Sequence, residues 1–139
     1  MADILVAAED AMFSYPEVKI GFSGGLISAL ATRIPHKIAM DLLLTGRLVD
    51  APTAMRLQLV NEVVPATDLM DAALARAEMI AANSPVAVQA VKRQISATDA
   101  EFALTRETLE QQLGDAVRAD PDFAEGVAAF REKRSPDYG

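Results

Sequence analysis

Apolar positions fall into short, compact or alternating runs at the start of the chain and into stripes of period three to four along the rest. Residues 3–8, DILVAA, form a compact apolar run; Glu9-Asp10 reads as a turn, and the alternation of Ala11 to Tyr15 reads as a second strand that Pro16 stops. The run from Gly25 to Thr32 is apolar and opens on Gly24-Gly25, in the manner of a helix start. His36 to Thr45 predicts a helix ended by Gly46, the residue type that closes a last turn at least strain. Asp50 predicts the N-cap of a short helix, APTAMRLQ, with Pro52 tolerated in its first turn. LVNEVVP, residues 59–65, is the single later strand candidate.

The remainder reads as helix. Thr67 begins a long one, with Leu69, Ala73, Ala77 and Ile80 on one stripe, and Asn83-Ser84-Pro85 breaks it. Three more are predicted: Pro85 to about Ala97; about Asp99 to Ala119, with Phe102, Leu109, Leu113 and Val117 on a stripe; and Pro121 to Arg134, with Phe123, Val127 and Phe130 at i, i+4, i+7. There is no internal repeat. So few strands cannot make a stable sheet alone, and the edge at residues 3–8 needs a partner, either another copy of the chain or sequence outside it.

Composition narrows this picture. At 139 residues, 51% apolar and 5% aromatic, the chain suits one ordinary domain whose core is made of thin, closely packed helices. The formal net charge of -7, with basic residues scattered singly along most of the chain, argues against a nucleic-acid partner. The absence of cysteine excludes a disulfide framework, a thiolate nucleophile and Cys-ligated metal, and fits a reducing cytoplasm. The uncharged stretch Ile20 to Thr32 is too short to span a bilayer and the first residues carry no basic region, so neither a membrane span nor a signal peptide is expected.

Glu17 is the foremost candidate for chemistry. It follows the proline that ends a strand, at a rim where loops meet, and a carboxylate set between Tyr15 and Ile20 against an apolar wall is suited to hold and release a proton. The plainer alternative is a solvated turn glutamate paired with Lys19. Ser23-Gly24-Gly25 could bare helix N-terminal N–H groups to an anion or a carbonyl oxygen, or merely let backbones pass closely. His36, the only histidine, reads as a surface residue. Glu9, Asp10, Asp68, Asp71, Asp120 and Asp122 sit at turns or helix starts, where caps explain them better than a metal, and no metal site is expected. At the end of the chain Phe130, Arg131, Lys133 and Arg134 put one aromatic and three cations at a helix C-terminus, which suits the helix dipole and could also grip a nucleotide phosphate.

In order, ADILVAAEDAMFSYPEVKIGF, AMDLLLTGRLVDAPTAMRLQLVNEVVP, NSPVAVQAVK and GVAAFREKRSPDY resemble the second half of the enoyl-CoA hydratase/isomerase (crotonase) superfamily over nearly the whole chain. The resemblance implies a mainly α fold with a small β part: the last turns of a ββα spiral over 1–66, then a helical trimerisation region over 67–139. It places the acid/base of the Pro-Glu motif on Glu17, contacts to the nucleotide end of coenzyme A on Phe130 and Lys133, and the site wall on Tyr15, Phe22, Gly24 and Gly25. It further implies an acyl-CoA thioester as substrate, no resident cofactor because coenzyme A belongs to that substrate, and trimers or pairs of trimers. Relatives carry a Pro-Gly-Ala-Gly-Gly type of run where this chain has Phe22-Ser23-Gly24-Gly25, a pattern nearer the branch acting on branched or glutaconyl-type acyl groups. The family's oxyanion donors and second glutamate belong to the first half. Losing even one oxyanion donor costs on the order of 10²–10³ in rate, so a second polypeptide supplying that half is the expectation, with a non-catalytic oligomerisation or CoA-binding module as the alternative.

Overall fold

The computed structural model describes residues 2–24 and 27–138, with side chains other than those of 27, 28 and 98–106. It is mainly helical with a small β part. In chain order come β1 (Val6–Ala8), β2 (Met12–Phe13), α1 (His36–Thr45), β3 (Val49–Asp50), α2 (Ala51–Arg56), β4 (Glu62–Val64), α3 (Leu69–Ala81), α4 (Pro85–Ala119) and α5 (Pro121–Glu132), with 3-10 turns at Glu17–Ile20, Ile27–Thr32 and Ala66–Asp68. Two compact units form, Met1–Met12 with Asp50–Leu104 and Phe13–Val49 with Thr105–Gly139. Each draws residues from both sides of the 66/67 division expected from sequence.

In the first unit β1 and β4 pair in parallel, Val6 opposite Glu62 and Ala8 opposite Val64. Asn61 brackets the entry, its Oδ1 accepting the Leu5 N–H at 2.8 Å while its own N–H donates to the Leu5 carbonyl. One edge of the first strand is thus paired by β4 of the same chain, in a sheet of two strands among the described residues. Parallel pairing needs a long connection, and residues 9–61 supply it. The α2 cap forms as predicted: Asp50 Oδ1 accepts the Thr53 N–H at 2.8 Å, and hydrogen bonding from the Thr53 side chain, then from that N–H, holds its carboxyl below the usual carboxylate range. Arg76 on α3 pairs with Glu62 on β4 at 2.6 Å. On α3 the predicted stripe is half-buried at Leu69 and Ala73 but exposed at Ala77 and Ile80, while Met70 and Leu74 are 66% and 53% exposed.

The two helices predicted on either side of Thr98 are one, α4. Ser96, Thr98 and Asp99 favour caps, but without a glycine or proline there nothing breaks the hydrogen-bond ladder. Of its predicted stripe, Leu109 and Leu113 are exposed, Val117 is half-buried and Phe102 lies outside the described side chains.

In the second unit α1 has the predicted bounds, with Gly46 in the left-handed region (φ 56°) returning its N–H to the Leu42 carbonyl. Ala39 and Leu42 bury the inner face of α1, and Leu30, Ile34 and Ala129 are also buried. The run after Gly24-Gly25 folds as a 3-10 turn. α5 is capped by Asp120, whose Oδ1 accepts the Asp122 N–H, and ends before the predicted Arg134 because Lys133 turns left-handed (φ 54°).

Candidate active site

The second unit holds Glu17 at the start of the 3-10 turn that follows Pro16. The turn closes on itself: the Lys19 N–H donates to the Pro16 carbonyl at 2.9 Å and the Phe22 N–H to the Glu17 carbonyl at 3.0 Å, with Gly21 left-handed at φ 61°. Both α1 and α5 pack on it.

The α5 contact is made through glycine. A Cβ on Gly126 would meet Ile20 Cα at 2.8 Å and its carbonyl closer still, and a Cβ on Gly21 would come 2.6 Å from the Asp122 carbonyl oxygen. Only bare backbone fits at either point. Beside them Phe22 and Phe123 lie tilted, centroids 6.0 Å apart, and the Tyr138 hydroxyl donates to the Lys19 carbonyl at 2.8 Å. The turn is therefore held from α5, from α1 and from the residue that follows the Ser135-Pro136-Asp137 tail.

Within this frame Glu17 Oε2 is buried without a hydrogen-bond partner among the described residues, and no ion pair with Lys19 forms. A buried carboxylate oxygen left unbonded is costly, which sets Glu17 apart from the solvated turn glutamate that was the plainer alternative. Tyr15 is half-buried nearby. Burial, and then the charge of Glu17, push its hydroxyl above the ordinary tyrosine value.

Phe22 and Gly24 follow directly; Gly24 is buried with φ 136°, and a Cβ there would meet the Phe22 ring at 3.3 Å. Gly25 lies outside the described residues. The structure thus gathers Tyr15, Glu17, Phe22 and Gly24 on one loop, and α5 links that loop to the two remaining predicted residues: Phe123 and Gly126 face the Glu17 turn, while Phe130, 74% exposed, and the exposed Lys133 stand at the helix end. Phe123 to Phe130 is two turns, about 10 Å along the axis. Arg134 does not join them as a free cation. Its guanidinium is spread over Glu125, at 2.5 and 3.0 Å, and Glu132 at 2.7 Å. His36 is exposed at the first residue of α1, as expected.

Glu125 Oε1 also accepts the Asp137 N–H at 2.9 Å, and Arg134 first, then that N–H, draw the Glu125 carboxyl from its ordinary 4.5 down to about 2. A depressed folded-state value means the latch contributes fully above about 4.5 and is lost as pH falls through about 2. Thermal melts across that range should show Glu125→Gln less stable than wild type at pH 6, with the difference shrinking toward pH 2.

Gly21, Gly114, Gly126 and Tyr138 are contributors that the residue pattern did not single out. Isolated glycines inside two amphipathic helices were the available signal, since a glycine there weakens a helix unless another backbone needs the space.

The sequence profile of the enoyl-CoA hydratase/isomerase family matches residues 1–139. The chain belongs to that family. Enoyl-CoA hydratase EchA19 of Mycobacterium tuberculosis is 39% identical over 98% of this chain and 52% of its own length, and a carnitinyl-CoA dehydratase of Proteus mirabilis is 36% identical over 99% and 55%. Among solved structures, carnitinyl-CoA hydratase from Mycobacterium avium superposes with a TM-score of 0.91 at 36% identity, covering 99% of this chain and 54% of that one. A methylmalonyl-CoA decarboxylase structure reaches 0.85 at 27% identity, with 99% and 56% covered. The chain spans about half the length of the relatives it matches.

Proposed function

We propose that the protein serves water addition to, or double-bond migration in, an enoyl-CoA thioester, with Glu17 as the acid/base. The observation that carries this is the buried, unpartnered Oε2 of Glu17 on a turn clamped by α5. In hydration one water O–H bond breaks as the oxygen bonds to the β-carbon and the double-bond electrons move onto the thioester oxygen; the Glu17 carboxylate accepts that proton and then gives it to the α-carbon as the enolate collapses, which regenerates the carboxylate. In isomerisation the same oxygen removes one carbon-bound proton and returns it two carbons away. Phe130 and Lys133 present a flat apolar face and a cation to the nucleotide end of coenzyme A, which arrives as part of the substrate. No resident cofactor or metal is invoked, and a cytoplasmic location fits the absence of cysteine. Among the described residues no helix is long and apolar enough to cross a membrane.

The names of relatives, hydratases and dehydratases of CoA thioesters, support the substrate class. The test is crotonyl-CoA hydration, followed at the thioester-conjugated absorbance, by the purified protein with everything that co-purifies, after intact masses have shown whether a second polypeptide is present. Turnover supports the reading; an inert preparation that binds no coenzyme A overturns it.

Assembly through α3 and α4 is favoured by a specific observation: Met70, Leu74, Met79, Val86, Val91 and Ile95 are each at least half exposed. A trimer, or a pair of trimers, would cover them. Light scattering should give a mass of three or six chains, reduced to one by Leu74→Glu combined with Val91→Glu.

A further inference from the structure

Directly after the Glu17 turn, Ser23 and Gly24 open a cleft of about 370 Å3 in the second unit. Its far wall is one face of α4, where Glu107, Glu110, Gln111 and Arg118 recur at helical spacing around Gly114. Gly114 sets its depth, because a Cβ there would come 2.7 Å from the Ser23 carbonyl oxygen, so a side chain would hold loop and helix apart. Arg118 is already engaged, paired with Asp115 at 2.5 Å and lying 5.5 Å over the Phe22 ring.

Ser23, Glu107, Glu110 and Gln111 complete its polar lining, and among the described residues no aliphatic or aromatic side chain lines it. Such a wall rewards a hydrogen-bond donor. A methyl end would displace water from these acceptors and return nothing. The cleft adjoins the Glu17 turn along the chain: the Phe22 N–H is bonded to the Glu17 backbone carbonyl, and Gly24 is two residues further, at most about 7 Å of chain.

We propose that this cleft receives the far end of the acyl group and selects CoA thioesters whose acyl group ends in a hydroxyl or ammonium over those ending in a methyl. The inference rests on the thioester reading of Glu17 and names the substrate class of that site. Hydroxyl and methyl are close in size, so 4-hydroxybutyryl-CoA and pentanoyl-CoA form a matched pair, with coenzyme A itself as the control ligand for calorimetric titration of the purified protein.

The hydroxy thioester should bind about tenfold tighter, the scale of one or two hydrogen bonds in an open cleft. Gln111→Leu and, separately, Glu107→Gln should each cut that ratio to below about threefold and leave coenzyme A affinity unchanged. Both positions are exposed on α4, so either variant is expected to fold. Equal affinity of the two thioesters, or a ratio that neither variant moves, overturns the inference while leaving thioester binding intact. Absence of binding by both thioesters and by coenzyme A removes the thioester reading, and this inference falls with it.

Discussion

Glu17→Gln is expected to lower enoyl-CoA turnover by about 10³-fold, the middle of the range for removing a general acid/base. The amide keeps the size and shape of the carboxyl. Because Oε2 has no hydrogen-bond partner among the described residues, substitution breaks no bond of the fold, so thermal stability and KM should stay near wild type. That split separates a proton carrier from a structural carboxylate, which would lose stability and keep its rate. A Glu17→Gln protein that retains full turnover sinks the assignment.

Gly126→Ala should do the opposite, damaging the frame first. The new methyl would stand 2.8 Å from Ile20 Cα and nearer to its carbonyl, and both are backbone, which cannot rotate away. Overpacking of this kind costs about 2–3 kcal/mol, roughly 5–10 °C in melting temperature for a chain of this size. Relief requires α5 to move off the turn, and that carries Glu17 with it. Residual folded protein should therefore be slower than its folded fraction predicts. Wild-type melting together with wild-type turnover would show that the contact is looser than the geometry states.

Local rules were legible where local chemistry decides. Gly46 ended α1 and Asp50 capped α2 because a left-handed residue and a capping carboxylate act over four residues. The Pro-Glu turn and its candidate acid were likewise visible from residues 15–22. What escaped were contacts between distant segments. Nothing near Ile20 announces that Gly126 will lie against it, nothing near Val6 points to Glu62, and Arg134 could not be known to spend its charge on Glu125 until α5 had been built. The single α4 was hidden for another reason: Ser96, Thr98 and Asp99 prefer caps, yet they only compete with the helix and do not break it.

The long span between the Glu17 turn and its clamps has a bearing on how the molecule is made. Phe123, Gly126 and Tyr138 all reach back across more than a hundred residues to Phe22, Ile20 and Lys19. On a ribosome adding about 5–20 residues per second, the turn emerges on the order of ten seconds before the helix that grips it. Until then it has only its own short hydrogen bonds and whatever α1 supplies. The unit that carries the candidate acid is thus among the last parts of the chain to close, and its folding rate should be set by that late, long-range docking.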